Sequence, residues 1–244
     1  MRPVWIIARR ELASFFGSPI AYVFIVVFLA LAGFFTFMVG GLLERGEAGL
    51  APFFTWMPWL YLFLVPAAGM RMWSEERRLG TLELLMTMPV RPWQAIVGKY
   101  LAAWAVIAAA LLLTFPVVAT VNYLGDPDNG VILAGYIGSL LLAGGYLAVA
   151  SLTSALTRNQ VVSFILSVAA CLFLVLAGWP PVTDFLEGFA APGLVDAVAG
   201  LSVTTHFDSI QRGILDSRDL VYFGSLIGFG LAATALVLRA QRAP

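Results

Sequence analysis

Residues 20–43 read IAYVFIVVFLALAGFFTFMVGGLL, a stretch in which no residue is charged. An α-helix rises about 1.5 Å per residue, so roughly 20 apolar residues cross the ~30 Å hydrocarbon core of a bilayer. Five more charge-free stretches follow, and only the last is shorter than this: 51–70, 100–125, 129–157, 159–183 and 220–238. The sequence therefore predicts six membrane-spanning helices.

The composition agrees with this prediction. Hydrophobic residues make up 61% of the 244 and charged residues 11%, against about 45–50% and about 25% in soluble domains. The net charge is zero, which argues against a nucleic-acid partner. The chain has one cysteine, Cys171, and one histidine, His206, so neither an internal disulfide nor a His-rich metal site can form. We expect no catalytic, cofactor-binding or metal site in this chain.

The distribution of positive charge predicts the orientation, because short cytoplasmic loops collect Lys and Arg. With the N-terminus inside, all 14 Lys and Arg residues except Arg45, Arg212 and Arg218 fall on the cytoplasmic side. The predicted fold class is thus an all-α membrane protein. It has an N-terminal amphipathic elbow helix plus six transmembrane helices, with both termini cytoplasmic.

We expect residues 1–244 to form a single transmembrane domain. Its parts are an elbow helix at 3–18, a cytoplasmic segment at 72–92, an external loop at 180–219, and spans at about 20–43, 51–71, 98–123, 131–155, 160–179 and 220–238. The external loop could form a small lid, and the family resemblance described below implies that it contains short helices. Apart from Arg71 and Lys99 at the cytoplasmic ends of the second and third spans, no charge lies in the spans, where it would cost about 2.5–3.5 kcal/mol on insertion scales. This absence argues against ion-driven transport and against a charge-selective channel.

The N-terminal segment has the pattern of a helix that lies in the membrane interface. Drawn as a helix, residues 3–18 place Trp5 and Phe15 on one side and Arg10 on the other, with Arg9 beside it. Tryptophan at headgroup depth and arginine toward anionic lipid are typical of such helices. Ile7 interrupts the polar face. The alternative is a charged anchor that only sets the orientation.

The cytoplasmic segment 72–92, MWSEERRLGTLELLMTMPVRP, predicts two short helices. Ser74 followed by Glu75 and Glu76 is a helix start, since acids are favoured in the first turn. Gly80 interrupts this helix, and Thr81 can cap the next.

The second short helix, at about 82–87, ends before Pro89. Its apolar residues Leu82, Leu85 and Met86 are surrounded by charged residues, among them Glu83. A small apolar knob ringed by charge is suited to docking into a groove on a soluble partner.

This segment, SEERRLGTLELLMTMPV with GKY opening the next span, resembles the coupling-helix region of type-2 ABC transporter permeases. The resemblance implies two copies of a separate ABC ATPase that binds ATP and Mg, and a second permease copy, identical or related. It also implies contact with the ATPase through Glu75, Glu76, Gly80, Thr81, Leu82, Glu83, Leu84, Leu85 and Pro89, and, from the inner turn SALTRNQ, through Arg158 and Asn159.

The stretch HFDSIQRGILDSRDLVYF, residues 206–223, is similar to permeases related to the gliding-motility F subunit. That subgroup implies ATP-driven export, or mechanical signalling to an external accessory protein, across a bacterial inner membrane. A permease of the nitrous-oxide-reductase maturation type has the same architecture and is an alternative.

Functions of other classes fit the sequence less well. A phosphate-binding loop needs GxxxxGK[ST], but Gly98-Lys99 is followed by Tyr100 and is preceded by Trp93 where glycine is required. An intramembrane protease would use Glu75-Glu76 in EExxxR, and position 80 is glycine. A secondary transporter or channel is disfavoured by the lack of charges in the spans.

Three smaller sequence patterns also lead to predictions. We interpret His206 and Asp208 as a structural hydrogen-bonded pair, and Asp216, Arg218 and Asp219 as solvated charges leading into the last span, where Asp219 or Ser217 caps the helix. The pairs Ser163/Ser167 and Gly224/Gly228 permit close helix approach, either within one subunit or between two copies.

Overall fold

The computed structural model describes residues 2–44, 49–81, 91–188 and 192–240, so the predicted helix at 82–87 lies outside it. All the regular elements in these ranges are helices. They are α1 (Arg2–Phe16), α2 (Pro19–Phe34, continued by a π-helical segment Phe35–Val39), α3 (Ala51–Thr55), α4 (Met57–Gly69), α5 (Ser74–Leu79), α6 (Pro92–Leu112), α7 (Phe115–Leu124), α8 (Asn129–Leu156), α9 (Gln160–Leu176), α10 (Pro180–Glu187), α11 (Pro192–Ala199), α12 (Val203–Gln211) and α13 (Ser217–Ala240).

Four helical stretches in the described residues are long and apolar enough to cross a membrane: Ala21–Val39, Pro92–Leu124, α8 and α13. A fifth is added if α9 and α10, which meet at 74°, count as one span. The predicted span at 51–71 is divided between α3 and α4, and neither is long enough alone. The all-helical, multi-span architecture is confirmed, while the number six and the orientation stay predictions.

Helix α8 lies at the centre of the bundle and packs against α4, α6, α9, α12 and α13. Small residues along it let neighbours approach closely. A Cβ added at Gly135 would lie 2.5 Å from the Phe54 ring, and one added at Gly138 would lie 2.7 Å from Ile210. Small residues serve this purpose in membrane helices, where close van der Waals packing holds the bundle together.

Proline follows two short breaks in the helices. Pro58 and Pro116 lie in the first turns of α4 and α7, directly after short breaks in the helical chain. Proline suits a first turn because its missing N–H has no helical partner there. The prediction that Pro92 begins the third long helix is likewise confirmed.

The two ends of the bundle carry different structures. We call the end with α1, α5, the first turns of α6 and the α8–α9 turn the proximal end. The end with α3, α10, α11 and α12 is the distal end.

The two small-residue pairs face different surroundings. Ser163 and Ser167 are buried, and Ser167 bonds with Thr153 of α8, so this pair packs within the subunit. A Cβ added at Gly224 or Gly228 would meet no atom within 4 Å in the described part of the chain. The glycine pair therefore serves no packing contact among these residues.

Candidate functional site

A buried lysine joins three elements at the proximal end. Lys99, on α6, is only 6% exposed. Its Nζ lies 3.1 Å from Glu11 Oε2 on α1 and 2.9 Å from Glu76 Oε1 on α5. We call Lys99, Glu11 and Glu76 the Lys99 node. The positive-charge count places Lys99 on the cytoplasmic side, and in the structure its side chain is buried and paired near the start of α6.

The packing of α1 on α6 positions Glu11. Ile7 is buried against Gly98, where an added Cβ would lie 2.8 Å from Ile7 Cγ2. Residues four apart lie on the same side of a helix, so Glu11 follows Ile7 onto this face and reaches Lys99. Ile7, which interrupts the polar face in the sequence pattern, is thus the residue that fixes the contact.

Three of the four predicted elbow residues are exposed on α1, and the fourth packs against the core. Trp5 is 71% exposed, Arg9 and Arg10 are exposed, and Phe15 is half-buried against the core. Arg10 contacts Glu11 at 3.1 Å. The structure has a helix at Arg2–Phe16, and the assignment of this helix as an interfacial elbow stays a prediction.

Trp73 fastens the start of α5 to α8. Its ring is fully buried, and Nε1 donates to Ser151 Oγ at 3.1 Å. The backbone N–H groups of Trp73 and Ser74 both donate to Ser154 Oγ, at 3.0 and 3.1 Å. Ser154 in turn donates to the Met70 carbonyl at 2.9 Å. A side chain from α8 therefore satisfies N–H groups that a helix start normally leaves open.

The same tryptophan also borders the Lys99 node. Lys99 Nζ lies 5.6 Å from the centre of the Trp73 ring, within the range of a cation–π interaction. The lysine therefore faces two carboxylates and an aromatic ring, all from neighbouring elements.

Arg77 brings α5 to the α8–α9 turn. Its guanidinium donates to the Ala155 carbonyl at 2.6 Å. Burial, and then the nearby positive charge of Arg158, lower the pKa of Arg77. Arg158 and Asn159 are exposed, and Asn159 begins α9 by accepting from the Val161 N–H at 2.9 Å. The structure thus brings the described part of the first predicted contact region, up to Thr81, to the same end of the molecule as Arg158 and Asn159.

Helix α5 ends where the sequence predicts. Gly80 has φ +71°, a left-handed conformation that glycine adopts without strain. Thr81 beside it is exposed. The predicted contact residues Leu82, Glu83, Leu84, Leu85 and Pro89 lie outside the described residues.

The distal end contains a second buried charge. Asp219 of α13 is 5% exposed, and its Oδ1 lies 2.6 Å from His206 Nδ1. Ser209 donates to the other carboxylate oxygen. The His206 ring stacks on Tyr222 with ring centres 4.0 Å apart. Because Ser209 donates to the carboxylate and not to the imidazole, the arrangement lacks the serine–histidine bond of a nucleophilic triad.

Two expectations at this end are wrong. His206 pairs with Asp219 and not with Asp208, which accepts from Gln211. Asp219 is buried and not solvated, and it is Asp216 that accepts from the Arg218 N–H, at 3.0 Å, where α13 begins. Backbone bonding of this kind lowers the pKa of Asp216.

No group of three or more His, Cys, Asp or Glu side chains in the described ranges could hold a metal ion. A comparison with curated proteins gives no match. The family described as ABC-2 family transporter protein matches residues 47–239, from before α3 to the last turn of α13. Together with the helical bundle and its several candidate membrane spans, this match shows that the chain belongs to the ABC-2 family of transporter proteins.

Proposed function

We propose that this chain is the permease half of an ABC exporter or mechanotransmission complex, and that a separate ATPase drives it through the proximal end. Membership of the ABC-2 family supports the permease component and confirms the superfamily resemblance. The observation that carries the coupling proposal is the Lys99 node. It ties together α5 and α6, the helices on either side of residues 82–90.

Because the node joins α5 and α6, we expect these two helices to move as one body. Separating a buried cation from its carboxylates leaves unpaired buried charge, which costs about 3–5 kcal/mol. A displacement of residues 82–90 is therefore transmitted to α6 through Lys99. It also reaches α8 through the bonds of Trp73 and Arg77 to Ser151, Ser154 and Ala155.

The proposed partner is an ABC ATPase in two copies, each binding ATP and Mg at its own site. Leu82 and Leu85 enter a groove on the ATPase, and the charged residues around them set the orientation. Arg158 and Asn159, exposed at the same end, make the second and smaller contact.

Replacement of Leu82 or Leu85 by aspartate tests the coupling contact. Loss of an apolar hot-spot side chain costs about 2 kcal/mol or more, equivalent to about 30-fold in affinity. The added unpaired charge increases this loss. We expect L82D and L85D to insert and fold normally but to lose ATPase association or substrate-coupled ATP hydrolysis, measured by co-purification and turnover.

The matched control is Glu187→Ala, an exposed position in α10 at the distal end, which should leave ATPase binding unchanged. Co-purification of L82D with a fully coupled ATPase at wild-type stoichiometry would refute residues 82–90 as the coupling element.

The proposed topology is six spans with both termini cytoplasmic, in a bacterial inner membrane. Cysteine introduced at Asp128 or Glu187 should react with an impermeant thiol reagent from outside. Cysteine at Arg78 or Arg242 should react only after permeabilisation. Labelling of position 78 in intact cells would overturn this orientation.

The proposed assembly contains two permease copies. The Gly224/Gly228 face of α13 supports this proposal, since it has no neighbour among the described residues, whereas Gly230 on the same helix is packed against Ala148. We expect Gly228→Leu to weaken the dimer in mass photometry while the subunit stays folded. Gly230→Leu should instead destabilise the subunit by about 1–3 kcal/mol through overpacking. An unchanged dimer in G228L would exclude this face as the contact.

Within the family, we favour the gliding-motility subgroup on the strength of residues 206–223. The nitrous-oxide-reductase maturation type remains the alternative. Ligands and subunits that co-purify with the complex would separate the two.

A further inference from the structure

A cavity of about 430 Å³ lies at the proximal end, between α1, the end of α4 and α5. This volume equals the share of roughly 14 water molecules in the liquid. Part of the lining is apolar and consists of Phe15, Ala67, Ala68 and Met72. Part is charged and consists of Glu11, Arg71, Glu75, Glu76 and Lys99. A site with both apolar and charged lining residues suits a ligand that has an apolar part and a charged part.

The lining leaves one acceptor open to a cation. Lys99 is engaged by Glu11 and Glu76. Glu11 also contacts Arg10 at 3.1 Å, and Glu75 lies 3.9 Å from Arg78, so Glu76 is the carboxylate with an open oxygen. Glu76 Oε1 takes the bond from Lys99, but Oε2 is buried without a hydrogen-bond partner in the described residues. A buried acceptor without a hydrogen bond costs about 1–3 kcal/mol of folding stability, and more if the group is charged. A donor that enters the cavity would remove this cost.

The cation must be able to donate hydrogen bonds. A primary ammonium group carries three N–H donors, whereas a trimethylated ammonium carries none. A divalent metal is disfavoured, because the acidic side chains of the described residues form no group of three that could hold one. Arg71, exposed at the rim, can pair with a phosphate beside the ammonium.

We propose that this cavity binds the headgroup of a phospholipid with a primary amine, such as phosphatidylethanolamine. The ammonium lies against Glu75 and Glu76, the phosphate against Arg71, and an acyl chain runs along Phe15 and Met72. The neighbouring α1, with exposed Trp5 and Arg9, places the cavity at headgroup depth. Binding here requires no ATPase, so the proposal stands or fails separately from the coupling contact.

Native mass spectrometry of the purified full-length chain tests the site. The probes are phosphatidylethanolamine, phosphatidylcholine and phosphatidylglycerol with identical acyl chains. We expect phosphatidylethanolamine to be retained best. Glu75→Gln should weaken its retention about tenfold, the value of one charge-assisted hydrogen bond. Glu75 is outside the Lys99 node, so E75Q keeps the node intact, and an unchanged thermal midpoint verifies that the variant is folded.

Two further variants complete the design. Arg71→Gln should weaken phosphatidylethanolamine and phosphatidylcholine equally, since both carry the phosphate, and Glu187→Gln at the distal end should change neither. Equal retention of the three lipids by the wild type, or wild-type selectivity in E75Q, overturns the proposal. Displacement of the lipid by free O-phosphoethanolamine at equal concentration overturns the lipid source, because the acyl chain would then contribute nothing.

Discussion

The proximal and distal ends each bury one charged residue near the end of a long helix, but they neutralise it in different ways. At the proximal end, Lys99 is held by two carboxylates that come from two other helices. At the distal end, Asp219 is held by His206 and Ser209, which both belong to α12. The proximal contact therefore joins three elements, and the distal contact joins two.

This difference predicts how each end responds when its central residue is lost. Removal of Lys99 leaves the carboxylates of Glu11 and Glu76 close together in a largely buried place, where Arg10 still contacts Glu11 but Glu76 has lost its cation. Removal of the Asp219 charge leaves a histidine ring and a hydroxyl, so no pair of like charges is brought together. The proximal end should be the more rigid part of the molecule and the distal helices the more easily released part.

Lys99→Met should have the largest effect. We expect a loss of about 3–5 kcal/mol in unfolding free energy, the usual result of breaking a buried ion pair from one side. Denaturant unfolding of the purified protein measures it. The triple variant K99M/E11Q/E76Q removes all three charges and should recover most of the loss. If the triple variant is as unstable as K99M, packing of the lysine stem and not charge accounts for the effect.

Asp219→Asn should have a smaller and more local effect. The amide oxygen can still accept from His206, but the charge is gone and Ser209 keeps at most a neutral partner. We expect a loss of about 1–3 kcal/mol, seen as faster hydrogen exchange or proteolysis within residues 203–216 and not in α6 or α8. A global loss as large as that of K99M would contradict the contrast between the two ends.

The parts of the fold that could be predicted depend on local patterns. Charge-free length located the hydrophobic helices, because crossing a bilayer needs a minimum run of apolar residues. Gly80 and Pro92 marked a helix end and a helix start, because each residue restricts or frees its own backbone. These properties do not depend on the rest of the chain, so the sequence shows them directly.

The buried pairs could not be predicted from the sequence, because they depend on contacts between different helices. A charge count treats every Lys and Asp as solvated, although Lys99 is paired by α1 and α5 and Asp219 by the preceding helix α12. The choice of Asp208 as the partner of His206 followed nearness in sequence. However, residues two apart on a helix do not face each other, and both lie on α12. The spacing of Ser151 and Ser154, on one side of α8, was the only local sign of the Trp73 contact.

The bonds from Trp73 and Ser74 to Ser154 have a consequence for biogenesis. Donor and acceptor are 81 and 80 residues apart in the chain. At a translation rate of about 5–20 residues per second, the start of α5 waits roughly 4–16 s for its hydroxyl acceptor to be synthesised. The surface proposed to receive the ATPase is thus completed only after α8 has entered the membrane. A subunit interrupted before that point would lack these bonds, and we expect its proposed docking surface to be incomplete.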